Sequence, residues 1–443
     1  MTLRVSVFGT GYLGATHAAG MAELGHDVVG VDVDAAKVAT LARGEVPFFE
    51  PGLPELISKH VATGRLCFTT DAREAADADV HFIGVGTPQK KGEHAADLRY
   101  VDAMIEGLAP LLTHPTVILG KSTVPVGTAA RLAARVRELA PAGDAVDLGW
   151  NPEFLREGFG VEDTLRPDRL VLGVDKSRPG RIEEMARVVY ADAIGRGTPF
   201  LVTDLATAEL VKVSANAFLA TKISFINAIA EVCDATGADV LELADAIGYD
   251  ERIGRKFLGA GLGFGGGCLP KDIRAFIARA GELGVQQSLA FLYEVDAVNM
   301  RRRDHVVDLA ARELGGSVVG RPIAVLGAAF KPNSDDVRDS PALDVAGRLH
   351  LKGAQVRVYD PEAMKNAAAM WPTLHFADGM ADAVRGAELV IVATEWREFR
   401  DADPVALASI AAGKIVIDGR NCLDADAWAD AGWVYRGLGR RSS

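Results

Sequence analysis

The sequence predicts an α/β protein built from two doubly wound parallel sheets that are joined by a long helical region. Short apolar segments followed by glycine-rich or polar loops recur along residues 1–203 and again along residues 315–443. Between them, residues 204–236 contain neither glycine nor proline. Alternating strand and helix patterns are typical of parallel sheets covered by helices on both faces. We therefore expect three parts: residues 1–203, 204–314 and 315–443.

Length and composition narrow the class of protein. A chain of 443 residues is too long for one hydrophobic core. Its 49% hydrophobic and 24% charged residues are typical of a soluble globular protein. The net charge of −12 argues against nucleic acid as the main partner, because the phosphate backbone repels an acidic surface.

The termini and cysteines predict a cytoplasmic location. The first residues lead directly into a strand pattern, so we expect no signal peptide. We also expect no membrane span, since no run of about 18 apolar residues occurs. Cys67, Cys233, Cys268 and Cys422 form neither a CxxC pair nor a zinc-ligand spacing. No metal site and no disulfide are expected, as in a reducing compartment.

Three glycines mark the first predicted strand-to-helix turn. Gly9, Gly11 and Gly14 in GTGYLG follow an apolar strand at 3–8 and open a helix. This spacing permits a tight turn, close approach of a pyrophosphate to the helix N-terminus, and packing of helix against strand. Asp32 lies 23 residues after Gly9, where a carboxylate holds a ribose 2′-hydroxyl and repels a 2′-phosphate. The pattern predicts a Rossmann-like domain that binds NAD in preference to NADP.

More loops follow predicted strands in this part. The strands are predicted at 80–85, 116–119, 147–150 and 169–174, and the loops read GVGTPQ, KSTVPVGT and NPEFLREG. Ligands of open α/β sheets bind at the carboxyl ends of strands, so we expect these loops at the site. GKST at 120–123 is no phosphate-binding P-loop, because Pro115 occupies the required glycine position. Thr123 is expected near the nicotinamide, and Glu153 is either a general base or a solvated carboxylate.

Four residues share one stripe of the predicted central helix. Lys212, Asn216, Ile223 and Asn227 are spaced 4, 7 and 4 residues apart. At about 100° per residue they fall within about 60° of each other. Polar groups among apolar neighbours are unfavourable unless they have partners. The stripe therefore faces either an active site or solvent.

The last part repeats the alternation without the glycine turn. Its strands are predicted at 322–326, before Asp360, at 389–393 and at 414–417. Lys331, Arg338 and Arg420 follow strand ends, where basic groups suit phosphate oxygens or form surface salt bridges. These features predict a second doubly wound sheet.

One cysteine lies in a glycine-rich segment. Residues 263–272 read GFGGGCLPKD and contain Cys268, Lys271 and Asp272. Glycines permit close approach of the backbone to a bound molecule. The neighbouring lysine and carboxylate suit a reactive thiolate and proton transfer, whereas an isolated cysteine is often a small buried hydrophobic residue.

Together these segments resemble the UDP-glucose/GDP-mannose dehydrogenase family along the whole chain and in the same order. The motifs that carry the resemblance are GTGYLG, GVGTP, KSTVPVGT, NPEFLREG, AELVKVSANAFLATKISFIN, GFGGGCLPKD, AFKPNSDDVRDSP and DGRN. The resemblance implies oxidation of a sugar C6 alcohol to a carboxylate with two NAD per sugar. UDP-glucose is the expected substrate, favoured by residues 252–267 and 393–396. GDP-mannose or a UDP-N-acetylhexosamine is the alternative.

The resemblance also implies catalytic roles. Cys268 would form a thiohemiacetal and then a thioester. Lys212, with Asn216 beside it, would stabilise the oxyanion, and Asp272 would assist a proton or a water. Glu153 would act in thioester hydrolysis, and Thr123 would hold a water.

Two sets of binding residues follow from the same resemblance. The cofactor set is Gly9, Gly11, Tyr12, Leu13, Gly14, Asp32, Lys37, Thr87, Pro88, Ser122, Thr123, Glu157, Lys271 and Arg338. The substrate set is Glu153, Phe154, Leu155, Lys212, Asn216, Ile223, Asn227, Arg252, Phe257, Leu258, Phe264, Gly265, Lys331 and Arg420.

The family further implies a homodimer or a higher homo-oligomer. The central helix would form the contact, and Arg252 would reach the site of the neighbouring subunit. Two positions depart from the family pattern. Gly267 stands where many relatives have serine, and Gly259 stands where some have a basic residue.

Two other classes of function remain open on the residues alone. A two-electron dehydrogenase of a small hydroxy acid would share the nucleotide domain and a Lys/Asn pair, but it has no need of Cys268. A non-catalytic sensor of sugar nucleotides would bind without reducing NAD. The first predicts one NADH per substrate and the second predicts none.

Overall fold

The computed structural model describes residues 1–178 and 181–441, which fall into two compact units. The first unit comprises Met1–Ala215 and Arg274–Leu283. The second comprises Asn216–Ile273 and Gly284–Ser443. The three-part division at residues 203 and 314 stays a prediction.

An eight-stranded sheet forms the centre of the first unit. Its strands are β1 (Arg4–Phe8), β2 (Asp27–Val31), β3 (Leu66–Thr69), β4 (Val80–Ile83), β5 (Thr116–Gly120), β6 (Val146–Trp150), β7 (Leu170–Val174) and β8 (Phe200–Asp204). Their order is β3-β2-β1-β4-β5-β6-β7-β8. The pairing is parallel except between β6 and β7, which run antiparallel and meet at Trp150 and Gly173. The order confirms the doubly wound topology, because β1 lies between two strands that are reached in opposite directions.

Helices cover both faces of this sheet. They are α1 (Tyr12–Glu23), α2 (Ala35–Ala42), α3 (Leu53–Ala62), α4 (Arg99–Leu108), α5 (Thr128–Leu139), α6 (Gly160–Leu165), α7 (Arg181–Val189) and α8 (Ala191–Gly195). Short 3₁₀ turns occupy Ala72–Ala75, Ala109–Leu111 and Gly143–Ala145. One core cluster packs α1, α3 and α7 against the sheet, and another packs α4 and α5. Because the helices cover the faces of the sheet, the loops lie at the carboxyl ends of its strands.

The central helix is a single element, α9 (Leu205–Thr236), of 32 residues. By length and composition alone it is apolar enough to cross a membrane, with a mean hydropathy of 1.3 in its most apolar window. The core helix of a folded domain has the same property. Lys212, Asn216 and Asn227 are all buried along it, which excludes the solvent-facing alternative for these side chains.

The second unit has a smaller sheet of the same design. Its strands are β9 (Pro322–Leu326), β10 (Gln355–Tyr359), β11 (His375–Phe376), β12 (Leu389–Val392), β13 (Ile415–Asp418) and β14 (Val434–Gly437). Their order is β11-β10-β9-β12-β13-β14, and every pair is parallel. This sheet confirms the second doubly wound domain.

The remaining helices belong wholly or partly to this unit. They are α10 (Val240–Gly248), α11 (Leu269–Glu282), α12 (Phe291–Glu313), α13 (Pro341–Leu351), α14 (Met364–Met370), α15 (Met380–Val384), α16 (Arg397–Arg400), α17 (Pro404–Ile410) and α18 (Ala425–Asp430). A 3₁₀ turn at Gln286–Leu289 precedes α12.

Asp360, which follows β10, is the polar centre of the second sheet. Its carboxylate is fully buried and accepts hydrogen bonds from the amides of Ala328 and Ala329 at 2.7 and 2.9 Å. The Trp396 indole N–H donates to it at 3.0 Å. The amides of Glu362 and Ala363 bind the other oxygen at 3.0 and 2.9 Å. One side chain thus ties together the turns after β9, β10 and β12.

We predict that Asp360→Asn lowers the midpoint of thermal unfolding by about 5–10 °C. An asparagine directs an NH₂ group at donors that now bind an oxygen, so buried N–H groups lose their partner. Asp401→Asn is the matched control, because that carboxylate is 63% exposed and pairs with Arg397 on the surface. It should shift the midpoint by about 1 °C or less. Equal shifts in the two variants would contradict the role given to Asp360.

Candidate active site

The glycine turn between β1 and α1 is built for a close backbone approach. Gly9 has φ +87°, and a Cβ there would lie 2.7 Å from the Cα of Val85. A Cβ on Gly14 would lie 1.7 Å from the carbonyl oxygen of Gly9, so only glycine fits. Around Gly11, in contrast, a Cβ would meet no atom within 4 Å. Tyr12 and Leu13 begin α1 beside this open space, which fits a pyrophosphate at the helix N-terminus.

Asp32 lies directly after β2 and faces the glycine turn. Its carboxylate accepts from the amides of Thr10 and Asp34 at 2.7 and 3.0 Å and from the Lys37 ammonium at 3.0 Å. Burial opposes its ionisation, but the Asp34 amide, Lys37 and the Thr10 amide outweigh that effect and hold the pKa of Asp32 below its usual range. The fixed negative charge fits a ribose hydroxyl, and these residues together fit NAD.

Glu50 connects this turn to the loop after β6, and the sequence did not predict it. It is 2% exposed and accepts from the amides of Gly158 and Gly160, each at 2.7 Å. The hydroxyl of Tyr12 donates to the same carboxylate. Burial raises the pKa of Tyr12, so the hydroxyl keeps its proton. A lone acid in the stretch FFEPGLP is the only signal for it in the sequence.

The loops after β4 and β5 are joined by side chains of the predicted cofactor set. The Thr87 hydroxyl donates to the carbonyl of Thr123 at 2.7 Å. The Ser122 hydroxyl donates to the carbonyl of Val85 at 2.7 Å. Thr123 is half-buried and Pro88 is exposed. The structure therefore brings Thr87, Ser122 and Thr123 together, as strand-end loops of one sheet.

Glu153 and Lys212 form an ion pair with little solvent access. Lys212 Nζ lies 3.4 Å from Glu153 Oε1, and the side chains are 7% and 11% exposed respectively. The other carboxylate oxygen of Glu153 accepts from the Leu155 amide at 2.5 Å. Lys212 lies 5.5 Å from the ring centroid of Phe154, and the Arg169 guanidinium carbon lies 3.9 Å from it. Glu157 is half-buried further along the same loop.

Cys268 precedes the first residue of α11 in the second unit. The Asp272 amide donates to its carbonyl at 2.9 Å, so Cys268 caps the helix. Its side chain is exposed, and the positive end of the helix dipole favours negative charge on sulfur. Asp272 is only 2% exposed and accepts from the Asn216 amide and the Lys271 ammonium, each at 2.6 Å. Lys271 and Asp272 thus lie on the first turn of α11 after Cys268, and Asn216 of α9 binds Asp272.

The glycines before Cys268 pack against the 338–341 segment. A Cβ on Gly265 would lie 2.3 Å from the Asp339 carbonyl oxygen, and one on Gly267 would lie 2.2 Å from Cζ of Arg338. The Arg338 guanidinium, which also binds Asp336, thus occupies the space of a serine side chain at 267. A Cβ on Gly259 would meet nothing within 4 Å, so packing does not require that glycine.

The segment leading to these glycines is clamped by buried amide groups. Asn299 on α12 binds both the amide and the carbonyl of Phe264, at 2.7 and 3.0 Å. The carbonyl oxygen of the Asn227 side chain accepts from the Gly261 amide at 2.8 Å. The Nδ2 of Asn227 is buried and has no hydrogen-bond partner among residues 1–178 and 181–441. A buried donor without a partner is typical of a position that a ligand completes.

Arg420 uses its guanidinium on backbone carbonyls. It donates to the carbonyls of Ala393, Gly263 and Phe330 at 2.8, 3.0 and 3.3 Å. It also lies 3.4 Å from Glu395. The sequence left phosphate binding and surface salt bridges open for this arginine, and the structure adds that it joins three segments of the second unit.

The other predicted substrate residues have varied surroundings. Leu258 is buried, Ile223 is half-buried, and Phe257 is 43% exposed in the left-handed region at φ +66°. Lys331 Nζ lies 5.3 Å from the ring centroid of Phe330. Arg252 is 89% exposed and pairs with Asp250 in its own loop. Among the predicted substrate residues named here, Arg252 is thus the one whose role requires another molecule or subunit to approach its loop.

In the described part of the chain, no group of three or more His, Cys, Asp or Glu side chains is arranged to hold a metal ion. No disulfide joins the cysteines of these residues.

Comparison with known proteins covers all three predicted parts. Residues 3–194 match the NAD binding domain of the UDP-glucose/GDP-mannose dehydrogenase family. Residues 206–301 match its central domain and residues 324–425 its UDP binding domain.

Similar proteins extend over the full length. A UDP-glucose 6-dehydrogenase of Rhizobium meliloti (strain 1021) is 43% identical over 99% of this chain and 100% of the relative. A second, of Bacillus subtilis (strain 168), is 41% identical over 99% of this chain and 93% of the relative.

A UDP-glucose dehydrogenase structure from Pyrobaculum islandicum has a TM-score of 0.90 at 39% identity, covering 99% of this chain and 98% of that one. The UDP-D-ManNAc dehydrogenase of Pyrococcus horikoshii has a TM-score of 0.85 at 25% identity, with both chains fully covered. The glycine turn, the Asp32 carboxylate and the capping Cys268 lie in the places described above. Together with the three matching domains and the full-length relatives, they show that the chain belongs to the UDP-glucose/GDP-mannose dehydrogenase family.

Proposed function

We propose that this protein oxidises the C6 alcohol of UDP-glucose to the carboxylate of UDP-glucuronate, a four-electron reaction that uses two NAD per sugar. The observation that carries the proposal is Cys268 at the N-terminus of α11, one turn before the buried Asp272 with its Asn216 and Lys271 partners. The names of the relatives support UDP-glucose over other sugar nucleotides. A two-electron dehydrogenase has no use for such a cysteine.

The chemistry requires a nucleophile between two oxidations. NAD, when bound, supplies the hydride acceptor for both. The first oxidation converts the alcohol to an aldehyde, and the Cys268 sulfur then bonds to the aldehyde carbon to give a thiohemiacetal. The second oxidation gives a thioester. Water adds to the thioester carbon, the carbon–sulfur bond breaks, and the carboxylate leaves. A thiolate suits this route because it is a strong nucleophile and its thioester hydrolyses readily.

Each polar residue near the reacting groups has a task in this scheme. Lys212 and Asn216 stabilise negative charge on the C6 oxygen. Asp272, held by two donors, takes or returns a proton. Glu153 accepts the proton of the attacking water, and Thr123 orients a water. Burial of Lys212 and Asp272 supports these roles, since charges act more strongly where water is scarce.

The three predicted parts divide the binding tasks in this proposal. Residues 1–203 hold NAD, residues 204–314 supply the nucleophile and the subunit contact, and residues 315–443 bind the UDP moiety. The open space at Gly11 supports the first task, and the buried Nδ2 of Asn227 without a partner supports a sugar nucleotide nearby. The four cysteines, which form neither a CxxC pair nor a zinc-ligand spacing, support a cytoplasmic location.

An exposed apolar stripe on α9 supports a homodimer. Phe218, Phe225 and Val232 lie seven residues apart and are 65%, 51% and 56% exposed. Residues spaced by seven share one helix face, and such a stripe in water favours a partner. Lys222, on the same helix, donates to the carbonyls of Ile253 and Gly254 at 2.9 and 3.0 Å, which holds the Arg252 loop against α9.

We expect two NADH per UDP-glucose when the sugar is limiting and NAD is in excess, measured by absorbance together with identification of the acid. A ratio near one would contradict the four-electron reaction and indicate release of an aldehyde. If UDP-glucose gives no NADH, GDP-mannose and the UDP-N-acetylhexosamines are the substrates to test in the same assay, and the proposed substrate is then wrong.

We predict that Cys268→Ser reduces UDP-glucuronate formation by about 1,000-fold or more, because an oxygen ester replaces the thioester. Cys67→Ser is the matched control, since that thiol lies on the exposed edge strand β3. It should retain the wild-type rate. Steady-state formation of the acid by Cys268→Ser at the control's rate would exclude the covalent route.

We predict that Phe225→Asp converts a dimer to a monomer, because a charge in an apolar contact loses its hydration without a partner. Light scattering after size exclusion measures the mass. Val405→Asp, at a residue on α17 that is 66% exposed, is the control and should leave the mass unchanged. A dimer that persists in Phe225→Asp would show that the contact lies elsewhere.

A further inference from the structure

A buried lysine that the reaction scheme does not use lies at the end of β5. Lys121 is 7% exposed, and its ammonium binds two neutral oxygens. These are the side-chain oxygen of Asn151 at 3.1 Å and the hydroxyl of Tyr190 at 3.3 Å. In the described part of the chain no carboxylate lies within salt-bridge distance of it. Aromatic rings complete its surroundings, with the centroids of Phe82 and Tyr190 at 5.8 and 5.7 Å.

Titratable groups approach Lys121 from several elements. Burial lowers the pKa of Lys121 to about 8, with attraction to Glu153 and repulsion from Lys212 as smaller effects. His17 on α1 is buried, and burial followed by repulsion from Lys121 holds its pKa well below the usual range. Burial raises the pKa of Tyr190, which stays protonated. Lys121 is therefore the buried group here whose charge changes near neutral pH.

The contacts of Lys121 lead to Glu153. Asn151 accepts hydrogen bonds from Lys121 and, at 2.6 Å, from Tyr190. Its own NH₂ group donates to the carbonyl of Val171 at 2.8 Å. Pro152 and Glu153 follow directly, so the ammonium fixes the start of the loop that carries the carboxylate.

A charged lysine in this place is unfavourable for folding. Removing an ammonium from water without a carboxylate partner costs free energy, and an apolar side chain of the same length avoids that cost. The unfolded chain holds the proton up to pH 10.5, whereas the folded protein releases it near pH 8. Between these values unfolding takes up a proton, so stability rises with pH in that window. A residue that weakens the fold at neutral pH is kept for another reason.

We propose that Lys121 is a positioning residue for the hydrolysis step, which holds the Glu153 loop through Asn151 and compensates the Glu153 charge. The inference rests on the proposed function. Lys212 pairs with Glu153 in the structure but is also assigned to the C6 oxygen. When Lys212 stabilises that oxygen, the Glu153 carboxylate, whose side chain is 11% exposed, needs a second positive charge, and Lys121 supplies it.

The step that depends on this charge is hydrolysis of the thioester. The water oxygen bonds to the thioester carbon while its proton passes to Glu153. The carbon–sulfur bond then breaks, and the electron pair leaves on the Cys268 sulfur as a thiolate. Both oxidations precede this step, so loss of the Lys121 charge leaves them unaffected.

The test is rapid-mixing kinetics of Lys121→Met with UDP-glucose and excess NAD. We expect a burst approaching two NADH per active site at the wild-type rate, followed by a steady state slowed by about 10- to 100-fold. KM for both substrates should stay within about twofold of wild type. The unfolding temperature should not fall, because a buried charge has been removed. Lys176→Met, at a lysine that is 72% exposed, is the matched control and should behave as wild type.

The pH dependence of the steady-state rate is a second measurement, and its first part uses the unchanged wild-type protein. In the wild type the steady-state rate should fall above about pH 8, as Lys121 loses its proton, and Lys121→Met should lack this decline. A wild-type steady state in Lys121→Met overturns the inference. So does a parallel loss of burst, steady state and unfolding temperature, which would assign Lys121 a purely structural role. If the wild type makes no NADH from UDP-glucose, the proposed function is wrong, and this inference, which rests on it, is wrong as well.

Discussion

A buried carboxylate needs hydrogen-bond donors, and this requirement shapes the loops of both sheets. Asp32 and Asp360 follow the second strand of their sheets at equivalent places. Asp360 is enclosed by five donors that join three turns of its sheet, whereas Asp32 stays beside the open glycine turn. Glu50 and Asp272 repeat the principle by tying distant segments to α1 and α11. The same interaction thus fixes structure in one place and prepares a site in another.

The lysines of the first unit show a conflict between stability and function. Lys212 is paired with a carboxylate, whereas the direct contacts of the Lys121 ammonium are neutral oxygens and aromatic rings. Proteins retain such arrangements chiefly where activity depends on them. In the proposed reaction, Lys212 can therefore bind the C6 oxygen while Lys121 still balances the negative charge of Glu153.

Much of the fold followed from local patterns. The glycine turn, the long helix α9 and the strands at the centre of each sheet were predicted, because buried parallel strands are continuous apolar runs and α9 lacks helix breakers. The edge strands β3, β8, β11 and β14 were not predicted. They are two to five residues long, and β8 exposes Leu201 and Val202, so their pairing depends on neighbours distant in sequence. Burial of the polar stripe on α9 was likewise left open.

By itself the sequence determined the two nucleotide-type sheets, the family and the residues with reactive groups. Spacing and residue type carry that information, since glycine, carboxylate and thiol chemistry is local. Only the tertiary structure decided which distant groups are partners: Glu50 with Tyr12, Asp272 with Asn216, and the Arg338 guanidinium in the space beside Gly267. It also revealed that the buried Lys121 ammonium binds two neutral oxygens. Burial and hydrogen bonding depend on residues that are tens to hundreds of positions apart, and no local pattern encodes them.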